Sequence, residues 1–162
     1  MALFSNKQES NYRSSIKMVE TVIQELGIPV TETRIGGDPN EAPETESAGW
    51  VVMKGSAEVY VFLYRGENDN FIHCYSPILV IPERNLLQLF RKLLDLNGVG
   101  QMGVAFGLKG ENVVLSIYRS TTDLDKSEVR EMIINVGEHA DYYDDILANE
   151  FGGRRYCDVT HR

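Results

Sequence analysis

Apolar and polar positions along this chain follow two rhythms, and together these lay out its elements. Between residues 50 and 80 the rhythm is that of strands. Trp50-Val51-Val52-Met53 forms one run, residues 58–64 a second and residues 71–80 a third. Gly55-Ser56 turns the first into the second, and residues 66–70 (Gly-Glu-Asn-Asp-Asn) turn the second into the third. In the second strand Val59, Val61 and Leu63 alternate with Tyr60, Phe62 and Tyr64, so both faces are apolar. The third repeats this, with Phe71, His73, Tyr75 and Leu79 against Ile72, Cys74, Ile78 and Val80. Pro77 interrupts it and marks a bulge or an edge. An antiparallel sheet with one wet face alternates apolar with polar residues. Strands apolar on both sides need a second cover, from this chain, from a second copy or from a partner.

Around these strands the rhythm becomes helical. Ile16, Val19, Val22, Ile23 and Leu26 recur at spacings of three and four, predicting a helix over 11–26 that Gly27 and Pro29 end. Residues 30–35 alternate like a short strand. Residues 36–49, with Glu41, Glu44 and Glu46, read as an acidic loop. Pro82-Glu83-Arg84 opens a helix to about Asn97. Its Leu86, Leu87, Leu89, Phe90, Leu93, Leu94 and Leu96 spread wider than the ~100° stripe of an ordinary surface helix, which predicts contact with the sheet and with something else. A strand over 101–109 turns Met102, Val104, Phe106 and Leu108 inward, with Gly103, Ala105 and Gly107 opposite. After a turn at Lys109-Gly110-Glu111-Asn112, Val113, Leu115 and Ile117 face in, and Val114, Ser116 and Tyr118 face out.

Asp125 and Glu128 resemble a capping box. The helix that follows runs to about Phe151, roughly 40 Å at 1.5 Å per residue. Val129, Ile133, Val136, Ala140, Tyr143 and Leu147 form a heptad seam along it, and Gly137 is a point where it could bend.

The element order α-β-β-β-α-β-β-α predicts an α+β fold, with an antiparallel sheet of about five to six strands and helices packed on it. The expected organisation is a disordered start over 1–10, a single domain over 11–151 and a mobile tail over 152–162.

Composition sharpens this picture in a few places. Of 162 residues 43% are hydrophobic, enough for a sizeable core. Lys and Arg number 16 against 24 Asp and Glu, a formal net charge of -8. That balance argues against nucleic acid and anionic membranes as partners and suits basic or amphipathic ones. The two cysteines, Cys74 and Cys157, are too few for a disulfide scaffold. With no signal-peptide core and no membrane-length apolar run, the expected location is the cytoplasm.

Candidate chemistry is thin. Gly98-Val99-Gly100-Gln101-Met102-Gly103 spells the dinucleotide fingerprint, but here a helix precedes it and a strand follows, the reverse of what pyrophosphate binding needs. His73, His139 and His161 lack metal-ligand spacing, and His73 and Cys74 point to opposite faces of their strand. Glu138, Asp141, Asp144 and Asp145 read as a solvated acidic face before a cation site. No nucleophile elbow, phosphate loop or pair of catalytic carboxylates stands out. No cofactor or metal is expected, and the chain does not read as an enzyme.

The leucine-rich helix with Leu86-Leu87, Leu93-Leu94 and Leu96-Asn97 leads into a hairpin pairing Val104-Ala105-Phe106 with Val113-Val114-Leu115, and a long helix follows. In this order, over about residues 11–151, the chain resembles the YbjN family, which is similar in fold to the type III secretion chaperones. The resemblance implies a small acidic domain, often dimeric, whose apolar sheet or helix surface holds another polypeptide. It carries no catalytic motif.

The expected function is therefore a non-enzymatic protein-binding module of chaperone-like or regulatory character, working as a homodimer through an apolar sheet face. Tyr60, Phe62, Tyr64, Phe71 and Tyr75 are the expected partner-binding face, and Leu89, Leu93 and Leu96 the expected dimer contacts, because desolvated aromatic and aliphatic surface carries most binding energy. The alternative is a small-molecule sensor or enzyme with a pocket between sheet and long helix, drawing on polar groups such as His73 and Arg119.

Overall fold

A computed structural model describes residues 2–36, 47–100 and 103–160. In chain order the elements are α1 (Ala2–Glu25), α2 (Val30–Thr33), β1 (Arg34–Ile35), β2 (Ser47–Lys54), β3 (Ala57–Arg65), β4 (Asn70–Val80), α3 (Leu86–Gly98), β5 (Ala105–Lys109), β6 (Asn112–Ser120), α4 (Lys126–Phe151), β7 (Arg154–Arg155) and α5 (Cys157–Thr160). The strands form a seven-stranded sheet in the order β1-β2-β3-β4-β6-β5, with β7 added to β4. The fold is α+β, as the apolar rhythm predicts.

By internal contacts the chain sorts into two compact units. One takes Met1–Val52, Tyr60–Cys74 and Tyr118–Ile133, the other Met53–Val59, Tyr75–Ile117 and Ile134–Arg162.

In the first unit α1 buries Val19, Val22 and Ile23 completely. The Tyr12 ring lies under the Arg65 guanidinium, 4.4 Å from its carbon, and the Tyr12 hydroxyl donates to the Leu63 carbonyl. Buried Asn70 ties three segments together. Its amide donates to the Gln8 carbonyl and to Asn11 Oδ1, and Thr121 Oγ1 donates to the same Asn11 oxygen. A buried amide so satisfied costs little and fixes how the helix meets the strands. In β2 a side chain at Gly49 would put its Cβ 2.5 Å from the Phe62 ring, so only glycine fits there.

In the second unit the long helix comes close to the β2–β3 turn. A Cβ on Gly137 would lie 2.8 Å from the Lys54 side chain, so this glycine serves close approach, and α4 runs through it unbroken. Asp125 and Glu128, in the first unit, make the capping box: each side chain accepts from the other's backbone N–H at 2.9 Å.

Several expectations are corrected. The first helix begins at Ala2, so residues 2–10 are helical where a disordered start was expected. Residues 30–33 make a helical turn, leaving only Arg34–Ile35 to pair, with Trp50 and Gly49. Of the acidic loop, residues 37–46 lie outside the described residues, as do Gln101 and Met102, and 47–49 belong to β2. β4 continues through Pro77. α3 starts at Leu86 and not at Pro82, because Asn85 before it takes a left-handed φ of 62°. Leu108, expected inside, is 52% exposed. The tail is docked. β7 pairs antiparallel with β4, Leu79 opposite Arg155 and Val80 opposite Arg154, and Tyr156 N–H donates to the Ile78 carbonyl. Gly152 and Gly153 supply the positive φ angles (78° and 99°) that bring the chain back after α4.

Candidate functional site

Two surfaces stand out, one in each unit. In the first unit the alternation in β3 and β4 sends Val61, Leu63, Ile72 and Cys74 into the interior, fully buried. The residues between them carry the aromatic rings. Phe71 stacks on Tyr118 of β6, ring centroids 5.3 Å apart, and the His73 ring meets the same Tyr118 edge-on at 5.5 Å. Tyr118 is 58% exposed, while Phe71, His73 and Tyr60 are half-buried. The expected face is thus only partly a face. Phe62 and Tyr64, stacked at 6.0 Å, are buried. Tyr75, in the second unit, is also buried, with the Lys109 ammonium 4.5 Å above its ring. The ring cluster that remains can take apolar and aromatic side chains by stacking and cationic ones over a ring face.

Tyr118 was readable only as an outward residue of its strand. It becomes central because β6 runs beside β4 in the sheet, a pairing that the chain order does not spell out.

In the second unit α3 presents the other surface. Leu89 and Leu93, expected as dimer contacts, are buried in this chain's own core, and Leu96 is half-buried. The exposed leucines are Leu87 at 78% and Leu94 at 69%, seven residues apart and so on one side of the helix, with Leu86 beside them. The wide stripe thus divides between core and surface.

Asn97, at the end of the same helix, closes part of the neighbouring sheet edge. Its amide nitrogen donates to the Phe106 carbonyl at 3.0 Å, and its oxygen accepts from Phe106 N–H at 2.8 Å. A side chain here makes the two hydrogen bonds that another strand would make.

The acidic positions of α4 have specific partners. Asp141 accepts from the Ser56 N–H and hydroxyl, which hold its carboxyl below the usual range. Asp144 is buried, and burial pushes its carboxyl upward despite a bond from the Ser56 hydroxyl. Asp145 holds Arg155 at 2.8 Å. Arg119, a polar group of the alternative pocket reading, is engaged by Glu128, while His73 lies against Tyr118. Both cysteines are free, and burial raises both thiols, Cys74 far above the usual range. Among the described residues no group of His, Cys, Asp and Glu side chains converges as a metal site, and no helix is long and apolar enough to cross a membrane.

A search of curated proteins finds no sequence match. Among solved structures, the fold is similar to a chain in the crystal structure of the ExsC–ExsE complex, with a TM-score of 0.56 at 16% identity over 83% of this chain and 94% of that one. The model of the TY-Chap1 family, described as "T3SS (YopN, CesT) and YbjN peptide-binding chaperone 1", matches residues 32–159. That description is of a binding protein and not of a catalyst. The chain belongs to this family of type III secretion and YbjN peptide-binding chaperones.

Proposed function

We propose that this protein is a cytoplasmic peptide-binding chaperone that holds an apolar or aromatic stretch of another polypeptide against Phe71, His73, Tyr118 and Tyr60, and that it works as a homodimer joined through α3. The observation that carries the reading is the exposed Tyr118 ring, stacked on Phe71 and met by His73. Aromatic side chains of this kind anchor most binding hot spots, since they bury much area at little cost in side-chain freedom. The acidic net charge of -8 favours clients that are basic or amphipathic. The dimer would use Leu87 and Leu94, whose exposed side chains gain the most from desolvation.

The test measures suppression of aggregation of a chemically unfolded reporter protein by the wild type and by Tyr118→Glu. Tyr118 is mostly exposed, so the variant keeps its fold, as the circular dichroism melt would record. Protection should fall at least tenfold. Equal protection by the two proteins would overturn the assignment of this face.

A further inference from the structure

The C-terminal residues do something that a free tail does not. They supply a strand to the end of β4, and that strand is held in two chemically distinct ways. One is backbone pairing, with Arg155 opposite Leu79, Arg154 opposite Val80, and Tyr156 N–H donating to the Ile78 carbonyl. The other is charge: the Arg155 guanidinium donates to Asp145 of α4 at 2.8 Å and, through two nitrogens, to Asp158 at 3.0 and 2.8 Å. Thr160 Oγ1 adds a bond to Glu58. Backbone pairing of this sort is sequence-tolerant and gives affinity, while a placed carboxylate selects what the strand must carry.

From this we infer that the C-terminal end of β4, with Asp145 beside it, is a docking site for an extended, arginine-bearing peptide, and that the chain's own residues 154–156 occupy it at rest. The inference rests on the peptide-binding reading and names a partner class for a second place on the molecule. The self-docked strand is only two residues long. Its ion pair with Asp145 lies at the surface, with side-chain exposures of 31% and 64%. Contacts of this kind open locally without unfolding what lies beneath. Gly152 and Gly153 are the pivot. A Cβ on Gly153 would meet the Val80 carbonyl oxygen at 2.9 Å, so glycine is needed for the docked state, and its backbone freedom serves the released one. A tail tethered through such a short pivot competes at a high effective concentration, so it acts as a selective cover that a better-matched peptide displaces.

The probe is a fluorescent peptide with the sequence of residues 152–162, its cysteine replaced by serine, titrated against the full-length protein by anisotropy. Arg155→Glu sets the tail's charge against Asp145 and should free the site. The probe should bind this variant at least tenfold more tightly than the wild type, and adding Asp145→Lys should abolish the gain. Hydrogen exchange at the Tyr156 amide reads tail release directly and should quicken in Arg155→Glu. Equal binding by variant and wild type, or no binding to either, would overturn the inference. So would an unchanged Tyr156 amide, since docking would then not depend on the arginine. A protein that fails here but still protects the unfolded reporter loses only this site, whereas failure in both assays removes the peptide-binding reading as well.

Discussion

Replacing Leu94 by glutamate tests whether the exposed side of α3 is a dimer surface. Leu94 is 69% exposed. Full burial of a leucine side chain stabilises by about 1.5–3 kcal/mol, so burying what Leu94 still shows would contribute about 1–2 kcal/mol. In a two-fold symmetric dimer each side chain counts once per copy, which brings the contribution to about 2–4 kcal/mol. At 1.4 kcal/mol per decade this weakens dimerisation roughly 30- to 1,000-fold, and the buried carboxylate adds to the loss. Sedimentation equilibrium across a concentration series reads the change in Kd, and a thermal melt at a concentration where both proteins are monomeric should show little difference. Leu93→Ala is the contrasting variant. Leu93 is 5% exposed, so its truncation should cost about 2–5 kcal/mol of monomer stability. A wild type that stays monomeric at high concentration, or a Leu94→Glu protein that dimerises as well as the wild type, would refute the assignment of this helix face.

Other outcomes follow from the same geometry. Phe62→Ala should lose about 3–5 kcal/mol in denaturant unfolding, because the ring is fully buried; a loss below about 1 kcal/mol would mean the ring is not core. Asn97→Ala should expose the Phe106 edge and increase self-association at high protein concentration, measured by light scattering, without disturbing the rest of β5. Stability should depend on pH with opposite signs at two neighbouring carboxylates. Asp141 has a folded value below the usual 3.8, so it contributes stability that is present above 3.8 and lost as pH falls through the folded value. Asp144 has a raised value, so its contribution is present below 3.8 and lost as pH rises through the folded value. Melting temperatures of Asp144→Asn should therefore exceed the wild type at pH 7 and converge with it on acidification. A constant gap would show that the carboxyl is not titrating as described.

Much of the fold is legible in the sequence because period-2 and period-3.6 patterns report burial directly. The three strands from Trp50 to Val80 and the capping box at Asp125 needed no tertiary knowledge. What the sequence leaves open is which apolar residues the chain covers for itself. Phe62 and Tyr118 are both aromatic residues on β-strands, yet one is buried and the other mostly exposed. The difference is set by lateral neighbours in the sheet, which local pattern does not encode. The leucine helix fails in the same way. Its stripe is wide enough for two contacts, but only the packing reveals that Leu89 and Leu93 take the inner one. The docked tail was unreadable because two residues of strand leave no periodic trace. Its polar composition fits a free end as well as one fastened by ion pairs.

The Asn97 clamp carries a liability of its own. Asn97 is followed by Gly98, and an asparagine before glycine is the sequence at which side-chain amides are most readily lost to hydrolysis. Conversion to aspartate would put an anionic oxygen where a nitrogen now donates to the Phe106 carbonyl. One of the two bonds would become a repulsion, and the sheet edge would be unlatched without any change in the gene. α3 runs through Gly98, however, and a helical backbone holds the Gly98 nitrogen away from the Asn97 side chain it would have to attack, so the edge stays latched for as long as the end of the helix holds.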